Sequence, residues 1–126
     1  MAGASQALEL HMVHKAADGT LAVLGTFFEV GAANGALDQV FSNMATASDV
    51  PAALPSTLDP TLLLPTDNSG WIYDGSLTTP PYTAGVKWNL YAGVQEVSAA
   101  QLALFTHDPS FRPTQALGSR LVTGGD

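Results

Sequence analysis

The elements that the sequence predicts are mainly β-strands, with two short helices, and they make up a single domain. Two observations carry this prediction. Apolar and polar residues alternate, or apolar residues run on, in segments of strand length that are bounded by turn-forming residues. Only two segments show helical spacing, and both are short. A length of 126 residues fits one domain with a core of its own.

The amino-acid composition excludes several classes of protein, binding partner and functional site. Hydrophobic residues make up 46% of the chain and charged residues 12%, which excludes a disordered acidic tail and a coiled coil. Eleven acidic residues against four basic ones give a net charge of −7, so we expect neither nucleic acid nor an anionic membrane as a partner. The chain has no cysteine, which excludes a disulfide, a thiolate metal site and a Cys nucleophile.

The start of the sequence, MAGASQALEL, lacks a basic n-region and a long apolar run, so it predicts no signal peptide. No stretch reaches the roughly 20 apolar residues that a transmembrane helix needs. These observations leave the cellular compartment open.

The first predicted elements form a β-hairpin. Residues 8–14 alternate between two faces: Leu8, Leu10 and Met12 on one, and Glu9, His11 and Val13 on the other. An Asp-Gly turn in KAADGT follows, and the apolar run LAVLGTFFEV, Leu21 to Val30, is the returning strand. Because this run carries few polar residues, we place it centrally in a sheet.

A short amphipathic helix is predicted next, from apolar residues spaced i, i+3, i+4 and i+7: Leu37, Val40, Phe41 and Met44. From Ala45 to Pro65 four prolines break all periodicity, and we expect an ordered loop that runs over the surface.

The last third of the chain predicts two strands and a second helix. A short strand covers Trp71 to Tyr73, and alternation in VKWNL indicates another beyond it. Ser98 with Gln101 three residues later forms a predicted capping box, with a helix that ends near Thr106.

The segment ELHMVH, residues 9–14, places ionisable side chains in a strand that otherwise reads as buried. Glu9 and His11 share a strand face at roughly 6.5–7 Å along the chain. Two interpretations stay open. Either His11 is a core histidine hydrogen-bonded to Glu9, or Glu9 fixes the tautomer while the other ring nitrogen binds a metal. His14 lies on the opposite face and is interpreted as structural, and His107, in THDPSF, as solvated.

The segment GSLTTPP also stands out, because two prolines hold two threonine hydroxyls and their backbone N–H groups with little freedom. It is either a site that orients a small anion or water, or a rigid turn that caps its own backbone. Other catalytic motifs are missing from the sequence, among them GxSxG, the P-loop, HExxH, GxGxxG and a close acid pair.

Read in order, four segments resemble the second half of an α-class carbonic anhydrase, in a form closer to bacterial or algal members: LELHMVH, DGTLAVLGTFFEVG, GWIYDGSLTTPPYTAGVKW and FRPTQALGSRLV. The resemblance runs from Leu8 to Val122 and is weakest in the middle loop. It implies a fold of mixed α/β class that is predominantly β: part of the family's central twisted mixed sheet with short peripheral helices. Residues 1–126 would then be a single partial domain that lacks the family's N-terminal half.

The resemblance implies a role for each site residue. His11 corresponds to the third zinc-binding histidine, and Glu9 to the carboxylate that holds it. Thr78 corresponds to the threonine that accepts a hydrogen bond from zinc-bound hydroxide, and Thr79 to its neighbour at the substrate mouth. His14 matches a buried structural histidine near the site. The apolar wall where carbon dioxide sits corresponds to Val13, Val23, Leu77, Val86 and Trp88, with Tyr73 as a wall tyrosine.

The function so implied is reversible hydration of carbon dioxide to bicarbonate, in which zinc lowers the pKa of its water and the resulting hydroxide attacks carbon dioxide. Carbonic anhydrase is itself the standard example of this chemistry. Family members are often periplasmic or secreted. A cysteine often follows their double proline, and Tyr82 stands there in this chain.

The departures from the family pattern concern the metal. The other two zinc histidines lie in an H-x-H strand upstream of ELHMVH, which the 126 residues do not include. The carboxylate that pairs with Thr78 and the proton-shuttling histidine are missing too. A catalytic zinc needs three protein ligands, so we expect weak zinc binding and no activity from these residues alone.

Two alternatives to a truncated anhydrase remain: a non-catalytic anhydrase-like binding or scaffold domain, and one half of a split enzyme. A severed sheet leaves open edges and an uncovered apolar face. We therefore expect a homo-oligomer or a partner chain carrying the N-terminal half, with the strand Leu21 to Val30 exposed in an isolated monomer.

Overall fold

The computed structural model describes residues 5–44, 53–55, 57–105 and 112–125. Its elements are, in chain order, β1 (Leu8–Lys15), β2 (Leu21–Val30), α1 (Gly35–Phe41), a 3-10 helix (Pro60–Leu63), β3 (Gly70–Ser76), β4 (Ala84–Val97), α2 (Ala99–Leu104) and β5 (Thr123–Gly125). The five strands form one sheet in the order β1-β2-β4-β3-β5. β2 and β4 are parallel and the other pairs antiparallel, so the sheet is mixed. The predicted fold class is confirmed.

The β1–β2 hairpin forms as predicted. Gly19 takes a φ of 90°, a left-handed conformation that glycine adopts without steric cost. The Asp18 carboxylate accepts a hydrogen bond from the Thr20 backbone N–H at 2.9 Å, and this bond lowers the pKa of Asp18. The register pairs His11 with Gly25 and Val13 with Val23.

β2 lies inside the sheet, between β1 and β4, as its apolar sequence predicts. The expectation that this strand is exposed is wrong. Val23 is 1% exposed, Thr26 and Phe28 are 0% exposed, and only Glu29 and Val30 at its end are open to solvent. The reason is that both neighbouring strands come from within this chain. Two edges remain unpaired among the described strands: the outer edge of β1, which is eight residues long, and that of the three-residue strand β5.

Both predicted helices form, and each begins at a side-chain cap. The Asn34 side chain accepts hydrogen bonds from two N–H groups at the start of α1. α1 ends at Phe41, earlier than the spacing to Met44 predicts, since the Asn43 side chain donates to the Gln39 carbonyl and closes the turn. Among the described residues, no helix is both long enough and apolar enough to cross a membrane.

The predicted capping box of α2 is confirmed: Gln101 N–H donates to the Ser98 hydroxyl, and the Gln101 amide oxygen accepts from Ser98 N–H. α2 ends at Leu104, and Thr106 lies outside the described residues.

The stretch between α1 and β3 is described only in part, because residues 45–52 and 56 lie outside the described ranges. The described portion is more than a surface loop. Pro60–Leu63 forms a 3-10 helix capped by the Asp59 carboxylate, and Leu63 is 3% exposed. The Gln95 side chain donates to the Leu63 carbonyl at 2.6 Å, which ties this turn to β4.

The two faces of the sheet bury two separate apolar clusters. On the helix face, Phe28 and Val97 pack with residues of α1 and the 3-10 helix, and the apolar side of β1 packs against them: Leu8, Leu10 and Met12. On the opposite face, which we call the site face, the buried cluster is Val23, Val86 and Trp88. The site face carries the polar side of β1, with Glu9 and His11.

Candidate functional site

Strand pairing brings the site residues of distant segments onto one face. Val23 of β2 lies opposite both Val13 of β1 and Trp88 of β4, and Tyr73 of β3 is opposite Trp88. Because paired residues point to the same side of a sheet, residues from four strands line the site face together. His11 lies in the next row of the same face, opposite Gly25 of β2.

The central contact of the site face joins His11 to Glu9. The His11 Nε2 atom lies 2.8 Å from the Glu9 Oε1 atom, with the side chains 26% and 42% exposed. A carboxylate accepts hydrogen bonds, so Nε2 carries the proton that it donates. The other ring nitrogen, Nδ1, then keeps its lone pair when the ring is neutral, and it makes no hydrogen bond with a described residue. The hydrogen bond fits both sequence interpretations, the structural one and the metal-ligating one.

Gly25, opposite His11, leaves space for the Leu90 side chain. A Cβ atom at Gly25 would collide with the Leu90 side chain and lie 3.7 Å from Glu9 Oε1. Any larger residue at position 25 would therefore displace Leu90, which packs against the buried cluster of the site face.

Two aromatic rings support His11 from behind. The Trp88 ring meets the His11 ring edge to face at a centroid distance of 4.8 Å, and the Tyr73 ring stacks on Trp88 at 6.2 Å. The Trp88 indole N–H donates to the Ser76 carbonyl at 2.9 Å, which fixes the indole plane. Burial, and secondly the negative charge of Glu9, raise the pKa of Tyr73. Because the Trp88 ring is fixed and lies against His11, the His11 imidazole has limited freedom to rotate.

The predicted threonine loop closes on its own backbone. Leu77 N–H donates to the Thr83 carbonyl at 2.9 Å, and Tyr82 N–H donates to the Thr79 carbonyl at 2.9 Å, across a cis peptide bond between Pro80 and Pro81. Thr78 is half-buried and Thr79 exposed. Neither hydroxyl makes a hydrogen bond with a residue that the structure describes. The segment is thus a self-capped turn, and its two hydroxyls are left available.

Most of the predicted apolar wall lies together. Val23, Val86 and Trp88 are at most 3% exposed, and Leu77 and Tyr73 pack against them. Leu21 and Leu90 join the same cluster, which the sequence prediction did not include. Val13 shares the face but is 58% exposed, since it lies on the edge strand β1 near the turn of the hairpin.

His14 does not join the site. The expectation that His14 is buried is wrong: it is exposed, and its Nδ1 atom lies 3.0 Å from the Met12 carbonyl oxygen. His14 lies at the projecting end of the hairpin, next to the turn, where no described element packs over it. His107 lies outside the described residues.

The side chains present do not make a complete zinc site. Among the described ranges, no three His, Cys, Asp or Glu side chains lie close enough to hold a metal together. His11 with a free Nδ1 atom and a carboxylate on Nε2 fits one ligand position of a zinc ion. A catalytic zinc takes three protein ligands, so the described residues alone do not fit the metal.

Sequence reasoning missed one residue next to the threonine loop. Arg112 donates from Nη1 to the Ser76 hydroxyl at 2.8 Å, and its guanidinium lies 4.3 Å from the centre of the Tyr82 ring. The signal available was weak: Arg112 is one of only four basic residues in the chain.

Comparison with known proteins gives the same family throughout. The family model described as eukaryotic-type carbonic anhydrase matches residues 1–124. A carbonic anhydrase of Klebsiella pneumoniae is 38% identical over 123 residues, which is 95% of this chain and 50% of that protein. A carbonic anhydrase of Nostoc sp. is 36% identical over 118 residues, 91% of this chain and 45% of that protein. The chain spans about half the length of the curated relatives it matches.

Solved structures agree with the sequence comparison. The α-carbonic anhydrase from Thermovibrio ammonificans, solved with the inhibitor sulfanilamide, superposes with a TM-score of 0.80 at 37% identity, covering 90% of this chain and 52% of that one. A hyperthermostable carbonic anhydrase from a hydrothermal vent chimney gives a TM-score of 0.81 at 34% identity, covering 94% and 54%. The chain belongs to the eukaryotic-type, or α-class, carbonic anhydrase family.

Proposed function

We propose that this chain forms the half of an α-carbonic anhydrase site that supplies one zinc ligand, the carboxylate behind it, the threonine loop and the apolar wall. Carbonic anhydrases are generally zinc-dependent and act on carbon dioxide and bicarbonate. The observation that supports the proposal is the 2.8 Å contact between His11 Nε2 and Glu9 Oε1, since it leaves the lone pair of Nδ1 free to bind a metal.

The roles of the individual residues follow from this assignment. Glu9 holds the proton on Nε2 and keeps the His11 ring in one orientation. Trp88, against the ring, limits the remaining rotation. Zinc held by three histidines lowers the pKa of a bound water to about 7, and carbonic anhydrase is the standard example. We assign Thr78 to orienting the attacking oxygen and Thr79 to the mouth of the site.

The apolar cluster of the site face would line the place where carbon dioxide binds. Carbon dioxide has no net charge, and the half-buried Leu77 would give it a contact surface without competing hydrogen-bonding groups. Val23 and Val86, at most 1% exposed, would support this surface from beneath. Val13 would complete this wall once the open side of the site is covered.

The remaining two ligands must come from another polypeptide segment. β1 is an edge strand of the described sheet, so its outer backbone N–H and C=O groups are available for pairing. A strand with an H-x-H pattern paired there would place two imidazoles on the same face as His11. We propose such a strand, in a partner chain or in a longer form of this one, as the element that completes the site. A homo-oligomer is the alternative means of covering this edge.

The test compares zinc content and carbon dioxide hydration for the chain alone and for the chain joined to a segment carrying the H-x-H strand. The chain alone should lose its zinc to a mild chelator and show no hydration above free zinc. The joined form should hold one zinc and be active. His11→Ala should remove both properties, and Glu9→Gln should lower metal affinity or activity about 10–100-fold.

His14→Ala is the matched control, because it removes an exposed imidazole from the same strand three residues away. It should leave zinc content and the hydration rate unchanged. Hydration by the chain alone that survives His11→Ala would contradict the proposal, and so would an equal loss of zinc in the His14→Ala form. Sedimentation of the chain alone at low micromolar concentration distinguishes the two ways of completing the site. A dimer would indicate that a second copy of the chain covers the open edge. A monomer would indicate that a segment carrying the H-x-H strand is needed instead.

A further inference from the structure

The loop that carries Thr78 and Thr79 is held at both ends by one side chain. Before the loop, Arg112 Nη1 donates to the Ser76 hydroxyl at 2.8 Å and reaches the Leu77 carbonyl oxygen at 3.5 Å. After it, the guanidinium of Arg112 lies over the Tyr82 ring, 4.3 Å from its centre. Arg112 itself lies 36 residues along the chain from Ser76.

The contact on the first end fixes a backbone carbonyl as well as a hydroxyl. The Ser76 hydroxyl donates to the Leu77 carbonyl at 3.1 Å while it accepts from Arg112. Hydrogen bonds from a charged donor are shorter and stronger than those between neutral groups. The peptide that leads directly into Thr78 is therefore anchored to a charged group from a different segment.

The contact on the second end holds a residue in an unfavourable conformation. Tyr82 has a φ of 58°, in the left-handed region that residues with a side chain rarely occupy. Tyr82 is 42% exposed as a residue, so packing in a core does not hold it there. The guanidinium over the ring and the Tyr82 N–H bond to the Thr79 carbonyl are the contacts that favour this conformation.

We infer that Arg112 is a positioning residue, which holds the loop 77–83 in one conformation and thereby sets where the Thr78 and Thr79 hydroxyls lie. The inference deepens the proposed function, because those hydroxyls matter to catalysis only if that proposal is right. Arg112 does not contact either hydroxyl. It acts through Ser76 and Tyr82, on the two sides of the loop.

The chain offers a matched control in Arg120. Its guanidinium also binds backbone carbonyls, those of Asp74 at 3.0 Å, Ala116 at 2.7 Å and Leu117 at 2.9 Å. None of these carbonyls belongs to the loop 77–83. Removing Arg120 therefore removes a similar arginine from the same part of the molecule without touching the ends of the loop.

Amide hydrogen exchange on the full chain tests the inference without requiring zinc or activity. Leu77 N–H and Tyr82 N–H close the loop, and their exchange reports its opening. In Arg112→Met these two amides should exchange about tenfold faster, because local opening no longer breaks a charge-assisted hydrogen bond. In Arg120→Met their rates should stay as in the wild type. Arg112→Lys, which keeps the charge over Tyr82 but not the planar fork, should give an intermediate rate.

Unchanged exchange at Leu77 and Tyr82 in Arg112→Met would overturn the inference. So would an equal acceleration at the amides of β2 and β4, since that would make Arg112 a general stabilising residue. If Arg112→Met does not fold, Tyr82→Leu provides the second variant: it removes the ring contact alone and should accelerate Tyr82 N–H more than Leu77 N–H. An equal acceleration of both amides in Tyr82→Leu, relative to the wild type, would count against separate contacts at the two ends of the loop.

The catalytic consequence is measured in the completed enzyme. There Arg112→Met should lower kcat/KM while zinc content stays unchanged, and Arg120→Met should leave both unchanged. If the loop amides respond as expected but the completed protein is inactive even with Arg112 in place, the proposed function has failed and the positioning of the loop has not. If the enzyme is active and Arg112→Met leaves kcat/KM unchanged, the positioning inference has failed alone.

Discussion

The two faces of the sheet are built from the same strands but closed in different ways. On the helix face, α1, α2 and the 3-10 helix cover the strands, and Phe28, Leu37 and Val97 are fully buried. On the site face, the buried cluster is smaller, and Glu9 and His11 lie beside it with substantial exposure. The helix face is thus covered by helices of this chain, whereas no described helix covers the site face.

This difference shows what half of a family domain can retain. Folding of the chain depends on the helix face, because that face buries the larger apolar cluster. The proposed chemistry depends on the site face, and the zinc ion it requires needs ligands that the described residues do not include. Stability and activity should therefore respond to mutations on opposite sides of the same strand, and adjacent residues offer the sharpest comparison.

The largest effect is expected for Phe28→Ala. Phe28 is 0% exposed on the helix face, so its truncation should lower the free energy of unfolding by about 3–5 kcal/mol. Phe27, the preceding residue, points to the site face and is half-buried. Phe27→Ala removes the same atoms and should cost less than half as much. Urea denaturation followed by circular dichroism measures both, and an equal loss for Phe27→Ala would show that the site face is as closed as the helix face.

A smaller effect is expected at the polar link between the helices. The buried Gln101 side chain accepts from Asn34 N–H at 2.9 Å and donates to the Asn34 carbonyl at 2.7 Å and to the Asp38 carboxylate. Gln101→Leu leaves these groups unpaired in a partly buried place, which should cost about 1–3 kcal/mol. Gln39→Leu, on the exposed side of α1, should change the stability by less than about 0.5 kcal/mol. A similar effect of the two substitutions would mean that the link adds nothing to the helix face.

Features of the helix face that depend on local sequence are predicted, and those that depend on distant segments are not. Strand positions follow from alternation and apolar runs, and the capping box at Ser98 follows from local chemistry, so these are confirmed. The link from Gln101 to Asn34 joins residues 67 apart in the chain, and no local pattern indicates it. The parallel pairing of β2 with β4 is likewise a property of the whole sheet, although family resemblance implies a mixed sheet.

On the site face, resemblance indicates residue types and local spacing indicates shared faces. The pairing of Glu9 with His11 follows from their separation by two in a strand. The exposure of His14 and the part played by Arg112 do not follow from sequence, since both depend on which other segments pack nearby. The roles assigned to His11, Thr78 and Thr79 stay proposals until the zinc and hydration measurements are made.

The smallest effect expected is a pH dependence that belongs to the site face alone. Burial raises the pKa of the Tyr73 hydroxyl, and the negative charge of Glu9 adds to this, while Arg120 opposes it. In the unfolded chain the hydroxyl ionises near pH 10, and in the folded chain at higher pH. Its contribution to stability is therefore fully present below about pH 10 and is lost as the pH rises towards the folded pKa.

Tyr73→Phe should remove this loss. The free energy of unfolding of the wild type should fall more steeply above pH 10 than that of Tyr73→Phe, and the two curves should run parallel from pH 7 to pH 9. Because burial is the larger cause, Glu9→Gln should keep most of the steeper slope. A Glu9→Gln curve as flat as that of Tyr73→Phe would instead show that the charge of Glu9 is the main cause of the raised Tyr73 pKa. The Tyr73 hydroxyl would then be electrostatically coupled to the pair of Glu9 and His11.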